Sequence, residues 1–312
     1  MEVTGGAVQG SVLGVLDHNA VLNDLDTDLE NSPSLYTAKY VDDMTLIDTV
    51  DSNTLTNITT TETRPLHTFT PPQSQQAFRT IKRRAEEKSL KINETKTQLL
   101  SVSSARFDTL ARIETEDGET IESGNTLKML GFVFSNKPTV NAQVENLIRK
   151  ANKRYFALIK YKRAGINKTK LKEIFISIMR SVVEFSAVVY HSQLNKQQTE
   201  LLEKVQKRSL RLIYGFEKDY KDLLAESGLP TLEARREEAL AKFTHKMVKN
   251  PRYASWFPLR NIVRQNRNTK PYLEETSVGN RLYCSPIYAM RRLLNDSITE
   301  EGIDIAGLFE LP

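Results

Sequence analysis

Asp42 and Asp43 stand side by side in the run Tyr40-Val41-Asp42-Asp43-Met44-Thr45-Leu46. Two adjacent carboxylates repel each other, and a hard cation relieves that repulsion. Magnesium is usually held by one or two carboxylates together with phosphate oxygens, and a pair of such ions can hold both the attacking and the leaving oxygen in phosphoryl transfer. An Asp-Asp pair at a turn is also a common solvated feature, because Asp bonds its local backbone there. The second candidate set is basic: Lys150, Lys153, Arg154, Lys160, Lys162 and Arg163, continued by Lys168, Lys170 and Lys172 and interleaved with Tyr155, Phe156 and Tyr161. Such charges neutralise phosphates without reading sequence, and aromatic rings among them can stack on bases. A solvated helix face carries the same lysines, and Tyr155 falls on the apolar side of its helix. Lys204, Lys207, Arg208 and Arg211 form a second basic set, also typical of a solvated helix. His18, beside Asp17, reads as a surface or capping residue.

The charge is unevenly spread over the 312 residues. Residues 1–148 hold 13 Lys or Arg against 21 Asp or Glu, and residues 149–218 hold 17 against 5. An acidic first part followed by a basic block points to a polyanion partner near the middle of the chain. With 39% hydrophobic residues the chain can bury a sizeable core and does not have a disordered composition. Cys284 is the single cysteine, which excludes an internal disulfide and a multi-cysteine zinc site and fits a reducing, intracellular setting, cytoplasmic or nuclear. No run of about 18 apolar residues is present, so no membrane span is expected. Met1-Glu2-Val3-Thr4 lacks a basic n-region followed by an apolar h-region, so no signal peptide is expected.

The elements that must position these residues follow from periodicity. Leu35 to Val50 reads as two strands around Asp42-Asp43, a hairpin with the aspartates at its tip. Residues 49–75 hold nine threonines with Pro65, Pro71 and Pro72, which predicts a long surface loop. Gln73–Ser89 has Ala77, Phe78, Ile81 and Ala85 on one helical face. Lys91–Ser103 and Thr126–Phe134 read as strands, with an Asp117-Gly118 turn between them. From Val140 the spacing turns helical. One helix carries Val144, Leu147, Ala151 and Leu158, a second runs from Thr169 to Tyr190, a third from Lys196 to Tyr214 with Gly215 as its C-cap, and a fourth from Leu232 to Lys249. The tail after Asn250 is expected to be irregular except near Pro286–Asn295.

The order of four segments resembles the reverse transcriptases. Gly6-Ala7-Val8-Gln9-Gly10-Ser11-Val12-Leu13-Gly14 is similar to that family's motif B, with Asn23-Asp24-Leu25 at its N-D-L ending. Tyr40-Val41-Asp42-Asp43 is similar to motif C, Leu90-Lys91-Ile92-Asn93-Glu94-Thr95-Lys96-Thr97 to motif D, and Leu127-Lys128-Met129-Leu130-Gly131-Phe132 to motif E. The helices after them, through Tyr190 and Leu201–Gly215, resemble the region beyond the palm in non-LTR, LINE-like retrotransposon polymerases. The resemblance covers about residues 5–215.

What the resemblance implies is an α+β fold: a partial right-hand polymerase palm over 1–135, built from an antiparallel hairpin with flanking helices. A helical thumb follows over 136–250, then a basic, partly irregular tail over 251–312. It implies RNA-directed DNA polymerisation by two-metal nucleotidyl transfer, with Mg²⁺ on Asp42 and Asp43 and Lys96 as the motif D lysine near pyrophosphate. It sets Gln9, Gly10 and Tyr40 beside substrate and template. Lys150, Lys153, Arg154, Lys160, Lys162 and Arg163 fall on a thumb that grips an RNA template and DNA primer. Lys96 also reads as an ordinary solvated lysine, Gln9 as a turn residue, and Gly131 as a tight backbone approach. Val8 stands where the family has proline, and Asp17-His18-Asn19 makes the following helix more polar. A third carboxylate, motif A, precedes motif B in the family; Glu2 is the only acid before Gly6. The expectation is therefore that this chain is inactive as a polymerase, with deoxynucleotides bound only where a complete palm is restored. The alternative is a non-catalytic nucleic-acid-binding remnant.

Overall fold

The computed structural model describes residues 25–29, 34–40, 43–50, 58–61, 64–102, 108–259, 272 and 284–301. The fold is α+β. Contacts divide it into two units, Met1–Leu127 with Ser135–Pro138, and Lys128–Phe134 with Thr139–Pro312.

In the first unit, β1 (Leu35–Tyr40) and β2 (Asp43–Asp48) form an antiparallel hairpin with Tyr40 opposite Asp43. Leu35 is buried, Thr37 and Lys39 share its face, and Tyr36, Ala38 and Tyr40 point to solvent, the alternation a half-buried strand requires. Asp26 is buried beneath this face, accepting from Thr37 and pairing with Lys39. Burial would raise its carboxyl, but the bonds from Lys39 and Thr37 prevail and hold it below the ordinary carboxylate range.

The threonine-rich stretch is not a loop throughout. It forms β3 (Ile58–Thr61) and β4 (Arg64–Phe69), an antiparallel pair. β-Branched threonine suits a strand, and Pro65 lies just before the segment of β4 that pairs on both sides, where its missing N–H costs little. Helix α1 (Pro72–Glu87) then leads towards β5 (Asp108–Glu114), which pairs parallel to β4, and β6 (Thr120–Glu122) completes the order β3-β4-β5-β6. A parallel pair with a helix in its connection was not foreseen. Pro72 starts α1, Ala77, Phe78, Ile81 and Ala85 form its buried face as the spacing predicts, and Asp48 of β2 accepts from the Ser74 N–H at 3.2 Å and hydroxyl at 2.9 Å. That carboxylate satisfies an open N–H of the helix and complements its dipole. Gln75 exchanges two bonds with the main chain of Glu114, at 2.7 and 2.8 Å, fixing α1 to β5.

Of the strand expected over Lys91–Ser103, the described residues 91–102 form none. Asn93 Oδ1 accepts from the Lys96 N–H and closes a single turn over Glu94–Lys96, a local bond that competes with strand pairing. Leu99 makes only an isolated bridge with Ser123. Thr126–Phe134 is two strands, β7 (Thr126–Met129) and β8 (Phe132–Ser135), joined at Leu130-Gly131. Both link residues have positive φ, 47° and 86°.

The second unit is helical. α2 (Asn141–Arg163) buries Val144, Leu147, Ala151 and Leu158, and α6 (Lys196–Tyr214) buries Leu202, Leu210 and Ile213 against the same core. Asn195 and Gln198 cap α6 reciprocally, and Gly215 ends it with φ 132°. The helix expected over Thr169–Tyr190 is broken. α3 (Lys168–Ile174) passes through a wide turn at Phe175–Arg180 into α4 (Ser181–Glu184), and Ser186 in the left-handed region separates α5 (Ala187–Tyr190). The fully buried Tyr190 spans the break by donating its hydroxyl to the Val183 carbonyl, and burial pushes that hydroxyl's pKa up to about 12.

Among the described residues, one helical stretch, Lys168–Gln193, is long and apolar enough to cross a membrane, with mean hydropathy 1.4. It was not foreseen. Leu171, Phe175, Met179, Val182 and Val183 lie in the helical core, and Arg180 is buried on it in an ion pair with Glu184 at 2.8 Å. These are features of a core helix.

α7 (Tyr220–Ser227) was also unforeseen. α8 (Leu232–Val248) begins where Glu203 of α6 accepts from the Leu232 N–H at 3.1 Å. The tail holds more order than its composition suggests. Phe257, Tyr272 and, from α9 (Pro286–Glu301), Ala289, Met290 and Leu294 form a second core with Leu240 and Met247 of α8.

Candidate functional site

Of the residues assigned to substrate or catalysis, Gln9, Gly10 and Asp42 lie outside the described residues, as does His18. Asp43 is exposed at the start of β2 and Tyr40, 62% exposed, ends β1 opposite it. Lys96 is exposed in its single turn, and shares no hydrogen bond or ion pair with Asp43 or Tyr40. Among the described residues no group of three His, Cys, Asp or Glu stands together as a metal site. Asp43, exposed at the start of β2, and its sequence neighbour Asp42 are residue types suited to one hard cation completed by outside oxygens.

The basic residues of α2 separate into two classes. Lys153, Lys160 and Arg163 are exposed, and no acid among the described residues pairs with them. Their spacing, with Arg149 and Phe156 added, is 149-153-156-160-163: alternating steps of four and three, which stack on one helical face. That face lies away from Val144, Leu147, Ala151 and Leu158 and runs about 21 Å, fourteen residues at about 1.5 Å each. Lys150 stands on its flank, half-buried. Burial, then the charges of Lys128, Arg154 and Arg149, lower its ammonium's pKa. Three cations acting on the Lys150 ammonium mark a locally positive field.

Arg154 and Lys162 are turned elsewhere. Arg154 donates to the Ile178 carbonyl and Lys162 to the Leu212 carbonyl, with the Lys162 ammonium also 5.9 Å from the centre of the Phe216 ring. These two of the six expected backbone ligands serve the packing of the unit. Lys172 likewise reaches the Ser227 carbonyl at 3.2 Å, and Lys170 pairs with Glu173 at 2.9 Å. The second basic set is also largely engaged: Arg208 bonds Asn152 at 2.7 Å, Lys207 lies 5.9 Å from the Tyr220 ring, and Arg211 is half-buried. Arg149 was not singled out from the sequence. The four-three spacing was the signal that could have found it.

No protein-family model matches the chain, and no curated protein or solved structure matches it significantly.

Proposed function

We propose that this chain is a reverse transcriptase-type, RNA-directed DNA polymerase chain of the non-LTR kind whose helical unit grips a nucleic-acid backbone. The observation that carries the reading is the antiparallel hairpin of β1 and β2, in which Tyr40 pairs with Asp43, the first and last residues of the Tyr-x-Asp-Asp run. It is supported by the order of the four motif-like segments and by the basic face of α2 beyond them. When bound, Mg²⁺ would supply charge neutralisation at phosphate oxygens. Asp42 and Asp43 would hold it, and Arg149, Lys153, Lys160 and Arg163 would hold the primer–template duplex through its phosphates.

Duplex binding across a salt series tests the grip. Four phosphate contacts predict a log–log slope of about −3.6, and replacing Lys153 and Lys160 by Gln flattens it by about 2. An affinity insensitive to salt overturns it. A second reading, a non-catalytic binder, is favoured by the exposed cationic face of α2, which can hold a phosphate backbone without any metal centre. Primer extension with Mg²⁺ separates the two. Incorporation abolished by Asp42→Ala supports catalysis, and salt-dependent binding without incorporation supports the binder.

A further inference from the structure

Phe156 is 67% exposed in the middle of the cationic face of α2, between Lys153 and Lys160. A phenyl ring there gains nothing from water and interrupts a row of charges. The other aromatic residues of the region are occupied or placed differently. Tyr155 lies beneath the Arg208 guanidinium at 3.9 Å, Phe216 faces Lys162, and Tyr161 projects from a different side of the helix. Beside Phe156 lies an open concavity of about 400 Å³, lined by Glu145, Ile148, Arg149, Asn152, Lys153 and the ring itself. Phe156 and Ile148 are its two hydrophobic residues.

We propose that Phe156 is a stacking platform for an unpaired base, so that the α2 face takes a single strand as well as a duplex, the single strand's backbone running along the same Arg149, Lys153, Lys160 and Arg163. The charges of the face select a polyanion. The ring then selects among polyanions, because a duplex presents phosphates and sugars to a convex helix and keeps its base faces stacked inside, whereas a single strand can lay a base flat on the phenyl. Glu145, the one acid at the concavity, repels phosphate and directs the backbone towards Lys153 and Lys160. Asn152 stands at the rim, where its amide can meet a base edge, although its Oδ1 already accepts from Arg208. The inference rests on the polyanion-binding reading of α2 and is independent of polymerase ancestry.

The test uses the full chain with a fluorescein-labelled oligothymidylate and a blunt duplex of equal length, by anisotropy over a salt series. Phe156→Ala should weaken single-strand binding about 5- to 150-fold, leave the salt slope unchanged and leave duplex binding unchanged. Phe156→Trp should restore affinity, and its added indole emission should be quenched by the oligothymidylate beyond any change in Trp256 of the parent chain. Equal losses for both nucleic acids, no loss for either, or indole emission in Phe156→Trp that the oligothymidylate leaves unquenched overturn the platform. A loss of self-association in Phe156→Ala, read by sedimentation, also overturns it by assigning the ring to a second copy. Salt-insensitive binding of both probes overturns the polyanion reading itself, so the two failures are distinguishable.

Discussion

The Arg208 guanidinium carbon lies 3.9 Å from the centre of the Tyr155 ring, and the same side chain bonds Asn152 Oδ1 at 2.7 Å. α6 is thereby clamped to α2 at two neighbouring points. The stack occupies the Tyr155 ring, and burial raises the tyrosine's pKa while the arginine opposes that rise. Lysine in place of arginine keeps the charge and loses the planar stack and the directed bond. Arg208→Lys should therefore cost about 1 kcal/mol in urea unfolding with an unchanged m value, and leave the salt slope of nucleic-acid binding as it was. A variant as stable as the parent would mean the clamp carries no energy.

Arg236 is 1% exposed, and none of its three guanidinium nitrogens has a hydrogen-bond partner among the described residues. A buried charge without a partner is a cost, and an apolar side chain of similar volume removes it. Arg236→Met is expected to raise the thermal midpoint, by an amount corresponding to about 1–4 kcal/mol. A lowered midpoint would show that the guanidinium is paired in solution.

The elements that the sequence made legible carry their own local signals. α1 and α6 announce themselves by apolar spacing, with Pro72 and Gly215 at their ends, and the Asp117-Gly118 turn by its residue types, Gly118 having φ 81°, although it joins β5 to β6 rather than the strands expected at Lys91–Ser103 and Thr126–Phe134. What stayed hidden was decided by tertiary partners or by one competing bond. Asn93 turned a strand-like run into a turn. Ser186 broke a helix whose spacing continues unperturbed through it. Tyr272 and Met290 join a core with Leu240 from far along the chain. The same division holds at the site. The basic block could be read from charge alone, but which lysines face solvent could not, because the Ile178 and Leu212 carbonyls that draw in Arg154 and Lys162 belong to other helices.

His191 is partly buried, its Nδ1 has no partner among the described residues, and burial first, then the charge of Arg236, depress its pKa below the ordinary 6.5, with Glu233 opposing. The native imidazole is therefore harder to protonate than the unfolded one. Above about pH 6.5 neither state holds the proton and the residue makes no contribution to pH dependence. As pH falls from there towards the lower native pKa, the unfolded chain binds the extra proton and stability declines. Urea unfolding between about pH 7.5 and 5.5 should show this decline, reduced in His191→Gln. It should also be reduced in Arg236→Met, where the opposing charge is gone. Identical pH profiles for the parent and His191→Gln would remove the residue from this role.

The β7–β8 link asks for positive φ at both positions, and Leu130 meets that demand poorly. Its Cβ is strained at φ 47°, and its side chain is 48% exposed, so little burial compensates. Asparagine tolerates this region, and Leu130→Asn should stabilise by about 1 kcal/mol. Gly131 is the opposite case. Its φ is 86°, and a Cβ there would stand 3.2 and 3.3 Å from the Phe185 ring. Gly131→Ala combines backbone strain with that close contact and should destabilise by about 1–2 kcal/mol. Phe185→Leu in the Gly131→Ala background separates the two causes. It can relieve the contact but not the strain, so the double variant should recover only part of the loss. Full recovery would mean the φ requirement at Gly131 is dispensable, and no recovery would mean the Phe185 contact is.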